Sequence, residues 1–315
     1  MTSLAELYHV ILLELSQSYR KLAAVKAEGW KAAGPYVPRP QQRGTAEDYC
    51  RHYTAVLQPL LPPRRVTPPQ TFLDLGAAPG GLTIFLSRDH GWKGTAITLG
   101  EPEGGIPMSK DYDPAQVTVR FADVTKVDEF MKVGVIPREK EGESGTPFSP
   151  TYDLINLGIV IDAVVGRFVE RTSFSATFLT QLTLASTMLA PGGTLMLVLG
   201  LTFATTDCVI VTLVRLASIA AGGVYVIPTL YTKSSARKQF YVVVNDVLEG
   251  RLDDAFVTDM RSVWRSDSTK KRITVEQAAA EDGRARQVCA EMLRKVHGFE
   301  AFCGILREAL ERGPS

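Results

Sequence analysis

A glycine-rich octet is the part of the sequence best suited to chemistry. It reads Asp74-Leu-Gly-Ala-Ala-Pro-Gly-Gly81 and continues an apolar run that begins at Thr71, so a strand is predicted to end in a tight turn from which a helix starts. Gly76 permits the sharp turn, and Gly80 and Gly81 would let the backbone approach a ligand that a Cβ atom would exclude. Backbone N–H groups at the start of the helix could then bind a carboxylate or a phosphate.

The spacing of the glycines separates this octet from two other nucleotide-binding turns. The dinucleotide fingerprint is Gly-x-Gly-x-x-Gly, whereas this motif is Gly-x-x-x-Gly-Gly with Asp74 two residues before the first glycine. No Gly-Lys-Ser/Thr follows, which excludes a P-loop. Asp74 is then either a ligand-binding carboxylate or a turn and N-cap residue.

The elements that must position the octet alternate between strand and helix. Strands are predicted over 71–75, 94–99, 116–121, 152–157, 194–199, 224–231 and 239–244, with helices after the octet to about 90 and over 174–189 and 207–221. This alternation predicts an α/β fold with a doubly wound, mostly parallel sheet. We divide the chain into an N-terminal helical segment (1–61), a central α/β domain (62–247) and a C-terminal helical extension (248–315).

Three stretches resemble the FtsJ-like ribose methyltransferase family. The octet matches the family's glycine motif, Ala190-Pro-Gly-Gly-Thr-Leu-Met-Leu-Val198 resembles its Ala-Pro-Gly-Gly strand, and Lys233-Ser-Ser-Ala-Arg-Lys-Gln-Phe-Tyr-Val-Val-Val244 resembles its last strand. The resemblance covers about residues 45–246. It implies a Rossmann-like class I methyltransferase domain that binds S-adenosylmethionine, with a cofactor cradle formed by Asp74, Gly76, Ala77, Ala78, Pro79, Gly80 and Gly81.

The resemblance also suggests two further cofactor contacts. A carboxylate after the second strand normally holds the ribose hydroxyls, and Glu101 is the candidate there, with an ordinary loop residue as the alternative. Asp123 follows the third strand, at the position where the family contacts adenine. It also suits a helix N-cap, and the two roles are compatible.

The residues with which the family methylates RNA ribose are missing. Its lysine-aspartate-lysine-glutamate tetrad would place the last three residues where Gly158, Val198 and Gln239 stand. The helix before the octet, where the first lysine belongs, carries His52 among other residues. His52 and Asp162 are candidate proton acceptors, and Asn156 is a candidate substrate contact. The alternatives are a surface histidine for His52 and a capped strand end for Asn156.

Three functions therefore stay open. The first is an S-adenosylmethionine-dependent methyltransferase that acts on a small-molecule, non-RNA acceptor, for which positioning alone can supply much of the rate. The second is an RNA ribose 2'-O-methyltransferase with a rearranged proton acceptor. The third is a catalytically inactive pseudoenzyme or partner-binding subunit. The formal net charge of only +1 favours a small-molecule acceptor over RNA.

Composition adds expectations about location and partners. Four cysteines and four histidines form no cluster, so no metal site is expected and the thiols are expected to be reduced in a cytoplasmic protein, with the nucleus as the alternative. The most apolar stretch, 194–219, is interrupted by polar residues, so no membrane span is expected. A C-terminal apolar stripe predicts a helical cap, or an interface for a protein partner or a second copy, and comprises Val288, Met292, Leu293, Val296 and Phe299.

Overall fold

The computed structural model describes residues 12–13, 15–29, 44–61, 70–123, 151–159, 171–201, 206–229, 238–265 and 290–311. The chain divides into two compact units. The first unit is Gln42–Val198 with Asn245–Val257, and the second unit is Met1–Gln41, Leu199–Val244 and Thr258–Ser315. The second unit thus contains both ends of the chain. The proposed boundaries at 61 and 247 stay a prediction.

The helices and strands fall close to the predicted positions. The helices are α1 (Gln17–Gly29), α2 (Ala46–Val56), α3 (Gly81–Ile84, continued by a π-helical turn over Phe85–Asp89), α4 (Arg171–Met188), α5 (Thr206–Ile219), α6 (Asp254–Arg265) and α7 (Phe299–Glu311). The strands are β1 (Thr71–Leu75), β2 (Lys93–Thr98), β3 (Val117–Phe121), β4 (Tyr152–Leu157), β5 (Leu189–Leu201), β6 (Ala220–Pro228), β7 (Lys238–Val247) and β8 (Val296–His297).

The sheet of the first unit confirms the predicted α/β class. Its strands lie in the order β3-β2-β1-β4-β5, and each neighbouring pair in this series is parallel. From β1 the chain proceeds outward to β2 and β3, and it then returns to the other side of β1 with β4 and β5. This reversal creates a topological switch point between β1 and β4, where open α/β sheets bind their ligands. In β1 all residues after Thr71 are buried.

The second unit contains β6, against which α5 and α7 pack. Helix α1 packs against α7, and Ser16 Oγ donates a 2.9 Å hydrogen bond to Glu300 Oε1. The rings of Phe240 and Phe302 meet edge to face with 4.8 Å between their centroids. The indole N–H of the buried Trp264 donates to Thr212 Oγ1 at 3.1 Å. These contacts give this unit a core of its own.

The sequence had suggested that the C-terminal apolar stripe lies on one helix, and the structure corrects this. Val296 and His297 form the short strand β8, which pairs parallel with Val224 and Tyr225 of β6. Gly298 then adopts a left-handed conformation with φ of 84°, and α7 starts at Phe299. Val296 and Phe299 are buried within this unit, as a helical cap would require. Val288 lies outside the described residues.

No helix within the described ranges is long and apolar enough to cross a membrane.

The start of α2 is fixed by a reciprocal hydrogen-bonded cap. Thr45 Oγ1 accepts from the Asp48 N–H at 3.1 Å, and Asp48 Oδ2 accepts from the Thr45 N–H at 2.9 Å. These two reciprocal bonds form a capping box.

Helix α2 packs directly on the first residue of α3. A Cβ atom at Gly81 would collide with the Cβ of Tyr49 and would lie 2.9 Å from the carbonyl oxygen of Ala46. Both obstacles are backbone or the base of a side chain, so neither can move aside by changing a rotamer. The absence of a side chain at position 81 is therefore a requirement of helix packing.

We expect Gly81→Ala to lower the free energy of unfolding by about 1–3 kcal/mol, the usual cost of overpacking. Gly304 on α7 is a matched control, because a Cβ there meets nothing within 4 Å. Gly304→Ala should be neutral or stabilise by up to about 1 kcal/mol, because glycine is unfavourable inside a helix. Urea unfolding measures both. A Gly81→Ala protein as stable as the wild type would contradict the packing role.

Candidate functional site

Asp74 lies on β1 beside the switch point and is almost completely buried. Only 1% of it is exposed. Its Oδ2 accepts a 2.8 Å hydrogen bond from the Thr83 hydroxyl on α3, and its Oδ1 accepts a 2.7 Å hydrogen bond from Asn156 Nδ2 on β4. Burial raises the pKa of the Asp74 carboxyl, and the two hydrogen bonds act in the opposite direction. The carboxylate thus joins β1, α3 and β4.

Three N–H groups of the turn after β1 donate hydrogen bonds within the protein. Gly76 N–H and Ala77 N–H both donate to the Ile97 carbonyl, at 2.8 and 3.0 Å, and Gly80 N–H donates to the Ala77 carbonyl at 2.7 Å. These three groups are therefore not available to a ligand, and ligand binding by the N–H groups at the start of α3 stays a prediction. A buried N–H must find an acceptor, and the neighbouring strand β2 supplies it.

The outer side of the turn is covered by the segment after β2. Ser109 N–H donates a 2.9 Å hydrogen bond to the Pro79 carbonyl. A Cβ atom at Gly80 would lie 3.1 Å from Met108 Cε, and Gly80 itself has φ of 110°, which favours glycine. Gly80 and Gly81 both have packing reasons to lack a side chain, so the two glycines alone are not evidence for a ligand. Met108, a flexible side chain, can move aside, whereas the groups around Gly81 cannot.

The end of β4 brings Asn156 and Gly158 together at the same switch point. Asn156 is 3% exposed, and its buried Oδ1 has no hydrogen-bond partner within the described part of the chain. A Cβ atom at Gly158 would lie 2.5 Å from Asn156 Nδ2 and 2.8 Å from the Leu75 carbonyl oxygen. The Asn156 Nδ2 atom that donates to Asp74 therefore also lies beside Gly158.

Glu101 and Asp123 follow β2 and β3 at the carboxyl edge of the sheet, as predicted. Glu101 is exposed and starts a 3-10 turn, Glu101–Glu103. Asp123 is half-buried and follows Ala122, whose N–H donates to the Thr98 carbonyl at 3.0 Å. Their contacts with ribose and adenine stay predictions.

The three predicted catalytic residues lie in different surroundings. Asn156 is buried beside Asp74, as described above. His52 is half-buried on α2, with its ring 6.4 Å from the ring of Tyr53. Asp162 lies outside the described residues, so its role stays a prediction. Within the described ranges, no group of three or more His, Cys, Asp or Glu side chains could hold a metal ion.

Sequence reasoning missed two polar side chains that support the site. Thr83 holds Asp74 Oδ2, and Gln181 on α4 accepts a 3.1 Å hydrogen bond from the Ile159 N–H through its Oε1. Thr83 lies nine residues after Asp74, in the first turn of α3. Its contact with Asp74 depends on the path of the intervening turn, which the sequence does not give. Gln181 is on a helix that the sequence placed correctly but could not orient.

No family model and no curated protein matches this chain. Among solved structures, a candidate ribosomal RNA methyltransferase from Plasmodium falciparum is 14% identical with a TM-score of 0.39, over 64% of this chain and 97% of that one. A candidate spermidine synthase from Corynebacterium glutamicum has the same identity and TM-score over 64% of each chain.

The glycopeptide N-methyltransferase MtfA, solved with S-adenosylmethionine, is 14% identical with a TM-score of 0.37, over 68% of this chain and 100% of that one. Such values assign neither a family nor an activity. The fold class, a doubly wound and mostly parallel α/β sheet, stands on the strand order and registers of the first unit.

The raised pKa of Asp74 gives a prediction about pH. A carboxyl whose pKa is higher in the folded state opposes folding once it ionises, so stability is lost as pH rises from the unfolded-state pKa, about 3.9, through the folded-state pKa. Asp74→Asn removes this ionisation. We therefore expect the stability of the variant, relative to wild type, to become more favourable as pH rises through that window in urea unfolding.

Asp48→Asn is the matched control for this experiment. Hydrogen bonds from Thr45, chiefly from its backbone N–H, hold the pKa of the Asp48 carboxyl below its ordinary value. This favourable contribution is present above the unfolded-state pKa and is lost as pH falls, so Asp48→Asn should lose relative stability as pH rises. Parallel pH trends for the two variants would contradict the environment described for Asp74.

Proposed function

We propose that the protein is an S-adenosylmethionine-dependent methyltransferase that acts on a small-molecule acceptor and has a divergent active site. The observation that carries this proposal is the position of the octet: its turn lies at the carboxyl end of β1, where the order of the sheet reverses. The cofactor would lie along the carboxyl ends of β1, β2, β3 and β4. When bound, it supplies a methyl group on a positively charged sulfur.

The polar groups at the switch point fit a ligand that carries a positively charged amino group. Asp74 contributes a carboxylate and Asn156 a buried oxygen without a partner in the described chain, so acceptors exceed donors there. A buried acceptor without a donor is costly, and an ammonium group or a water bound to it would relieve that cost. Glu101 would hold the ribose hydroxyls and Asp123 the adenine amino group.

The acceptor side of the site favours a substrate that needs little activation. In the first unit, Gly158 directly follows β4 and Val198 lies within β5, and neither residue supplies a cation or a carboxylate. A ribose hydroxyl is a poor nucleophile and would need such groups, whereas an amine or a phenolate can attack when it is only positioned. His52 and Asp162 are the proposed proton acceptors for an acceptor that still carries a proton.

A second candidate function is cofactor binding without catalysis. Packing alone explains why positions 80 and 81 are glycines. The two glycines are therefore no evidence that the active site is intact, which favours this second function. The two functions share the cofactor site and differ in turnover. An RNA substrate would appear as methyl transfer to RNA in the same assay.

Isothermal titration calorimetry of the full chain with S-adenosylmethionine and S-adenosylhomocysteine tests the proposal. We expect micromolar dissociation constants for both and no comparable affinity for NAD, which serves as the control ligand. Binding of neither sulfur compound, or preferential binding of NAD, would overturn the proposed function. A screen with methyl-labelled cofactor and amine, phenol and RNA acceptors then separates the transferase from the binding protein.

Glu101 and Glu103 offer a matched pair for the ribose contact. Both are exposed carboxylates on the same 3-10 turn, and the sequence points to Glu101. Because a hydrogen bond to a charged group contributes about 1.5–3 kcal/mol, Glu101→Gln should weaken S-adenosylhomocysteine binding about tenfold or more. Glu103→Gln should leave the dissociation constant unchanged. The reverse result would move the ribose contact to Glu103.

A further inference from the structure

The pairing of β1 and β4 brings two polar residues side by side in a buried part of the sheet. Asp74 and Asn156 are register partners, so their side chains project from the same face. The 2.7 Å hydrogen bond from Asn156 Nδ2 to Asp74 Oδ1 follows from this register. A one-residue shift of β4 would turn Asn156 to the other face and leave Asp74 with Thr83 alone.

An apolar side chain would fill this space without an unsatisfied group. Asn156 instead buries a carboxamide whose Oδ1 has no partner among the described residues. A buried oxygen without a hydrogen bond lowers stability, so the carboxamide is expected to compensate through a bond of its nitrogen. That bond is the donation to the carboxylate of Asp74.

The same carboxamide explains the glycine at position 158. A Cβ atom there would lie 2.5 Å from Asn156 Nδ2, a distance that forces one of the two to move. Moving Asn156 would break its bond to Asp74. The Leu75 carbonyl oxygen, 2.8 Å from the same Cβ position, adds a second obstacle that does not depend on Asn156.

We propose that Asn156 is the positioning residue of this site, because its carboxamide fixes the Asp74 carboxylate and occupies the space that a side chain at position 158 would need. Position 158 is where a family carboxylate would stand by the resemblance noted in the sequence. Asn156 then requires a glycine at position 158. Its consequence for ligand binding rests on the proposed function, whereas the interaction itself does not.

The described residues that face Asp74 are uncharged. Ala96 faces it from β2, Thr83 from α3 and Asn156 from β4. The ionisable residues of those elements have described partners elsewhere: Tyr152 with Thr95, Asp153 with Thr71, and Arg88 with Asp89 and Glu47. Lys93 starts β2 at the opposite end of the sheet and is exposed. The pH dependence of Asp74 therefore reflects its burial first and then its two hydrogen bonds.

A double-mutant cycle without any ligand tests the spatial part of the proposal. Gly158→Ala should lower the Tm of the wild type more than it lowers the Tm of Asn156→Ala, because the shortened side chain makes room. Gly76→Ala is the control: its Cβ would meet the backbone of Gly158 and Ile159, so its effect should be the same in both backgrounds. Equal Tm losses for Gly158→Ala in both backgrounds would overturn the proposal. If Asn156→Ala does not fold, Asn156→Ser replaces it.

The pH dependence of the same variants tests the positioning part. The hydrogen bond from Asn156 favours the ionised form of Asp74, so its loss should cost more stability as pH rises from acid to neutral. Thr83→Val should show the same trend but no relief of Gly158→Ala, since Thr83 does not contact that position. A cost of Asn156→Ala that stays constant with pH would reduce Asn156 to a space-filling residue and overturn this part.

Titration with S-adenosylhomocysteine separates this inference from the proposed function. With both correct, Asn156→Ala weakens binding several-fold, and the weakening is greatest at pH values between the Asp74 pKa of the wild type and that of the variant, where only the variant's carboxyl is protonated. If wild type binds no S-adenosylhomocysteine, the proposed function fails, while the Tm cycle and the pH trend still decide the role of Asn156. If wild type binds and Asn156→Ala binds equally well at every pH, Asn156 does not position the ligand site.

Discussion

The structure of the first unit depends on one buried carboxylate. Asp74 connects the strand before the glycine turn, the helix after it and the strand on the other side of the switch point through two hydrogen bonds. Burying a charged carboxylate costs free energy unless its oxygens are hydrogen-bonded. Thr83 and Asn156 supply these hydrogen bonds to Asp74.

The glycines of the octet are explained by this arrangement in a way that the motif alone did not suggest. Gly76 faces the backbone of Gly158 and Ile159, Gly80 faces Met108, and Gly81 faces α2. Each glycine therefore lets one neighbouring element approach the turn closely. A glycine motif can thus persist for packing reasons even in a chain that transfers nothing, which is why the site has to be tested by ligand binding.

The sequence was informative about elements and less so about contacts. Alternating apolar runs located the strands of the sheet to within about two residues at most ends, because burial on both faces leaves a strong local pattern. β8 was missed, since a two-residue strand has no periodicity and Val296 fits a helical stripe equally well. The hydrogen bond between Asn156 and Asp74 was also missed, because it depends on the register between β1 and β4, which no local pattern records.

The neutral end of β4 constrains the chemistry more than any single missing catalytic residue. A side chain at position 158 conflicts with both Asn156 and the Leu75 carbonyl, so a carboxylate cannot be accommodated there without losing the Asp74 contact. Among the described residues, the end of β4 therefore supplies no carboxylate that could tune a lysine as proton acceptor. For the proposed methyl transfer we infer an acceptor whose orientation, rather than its deprotonation, sets the rate.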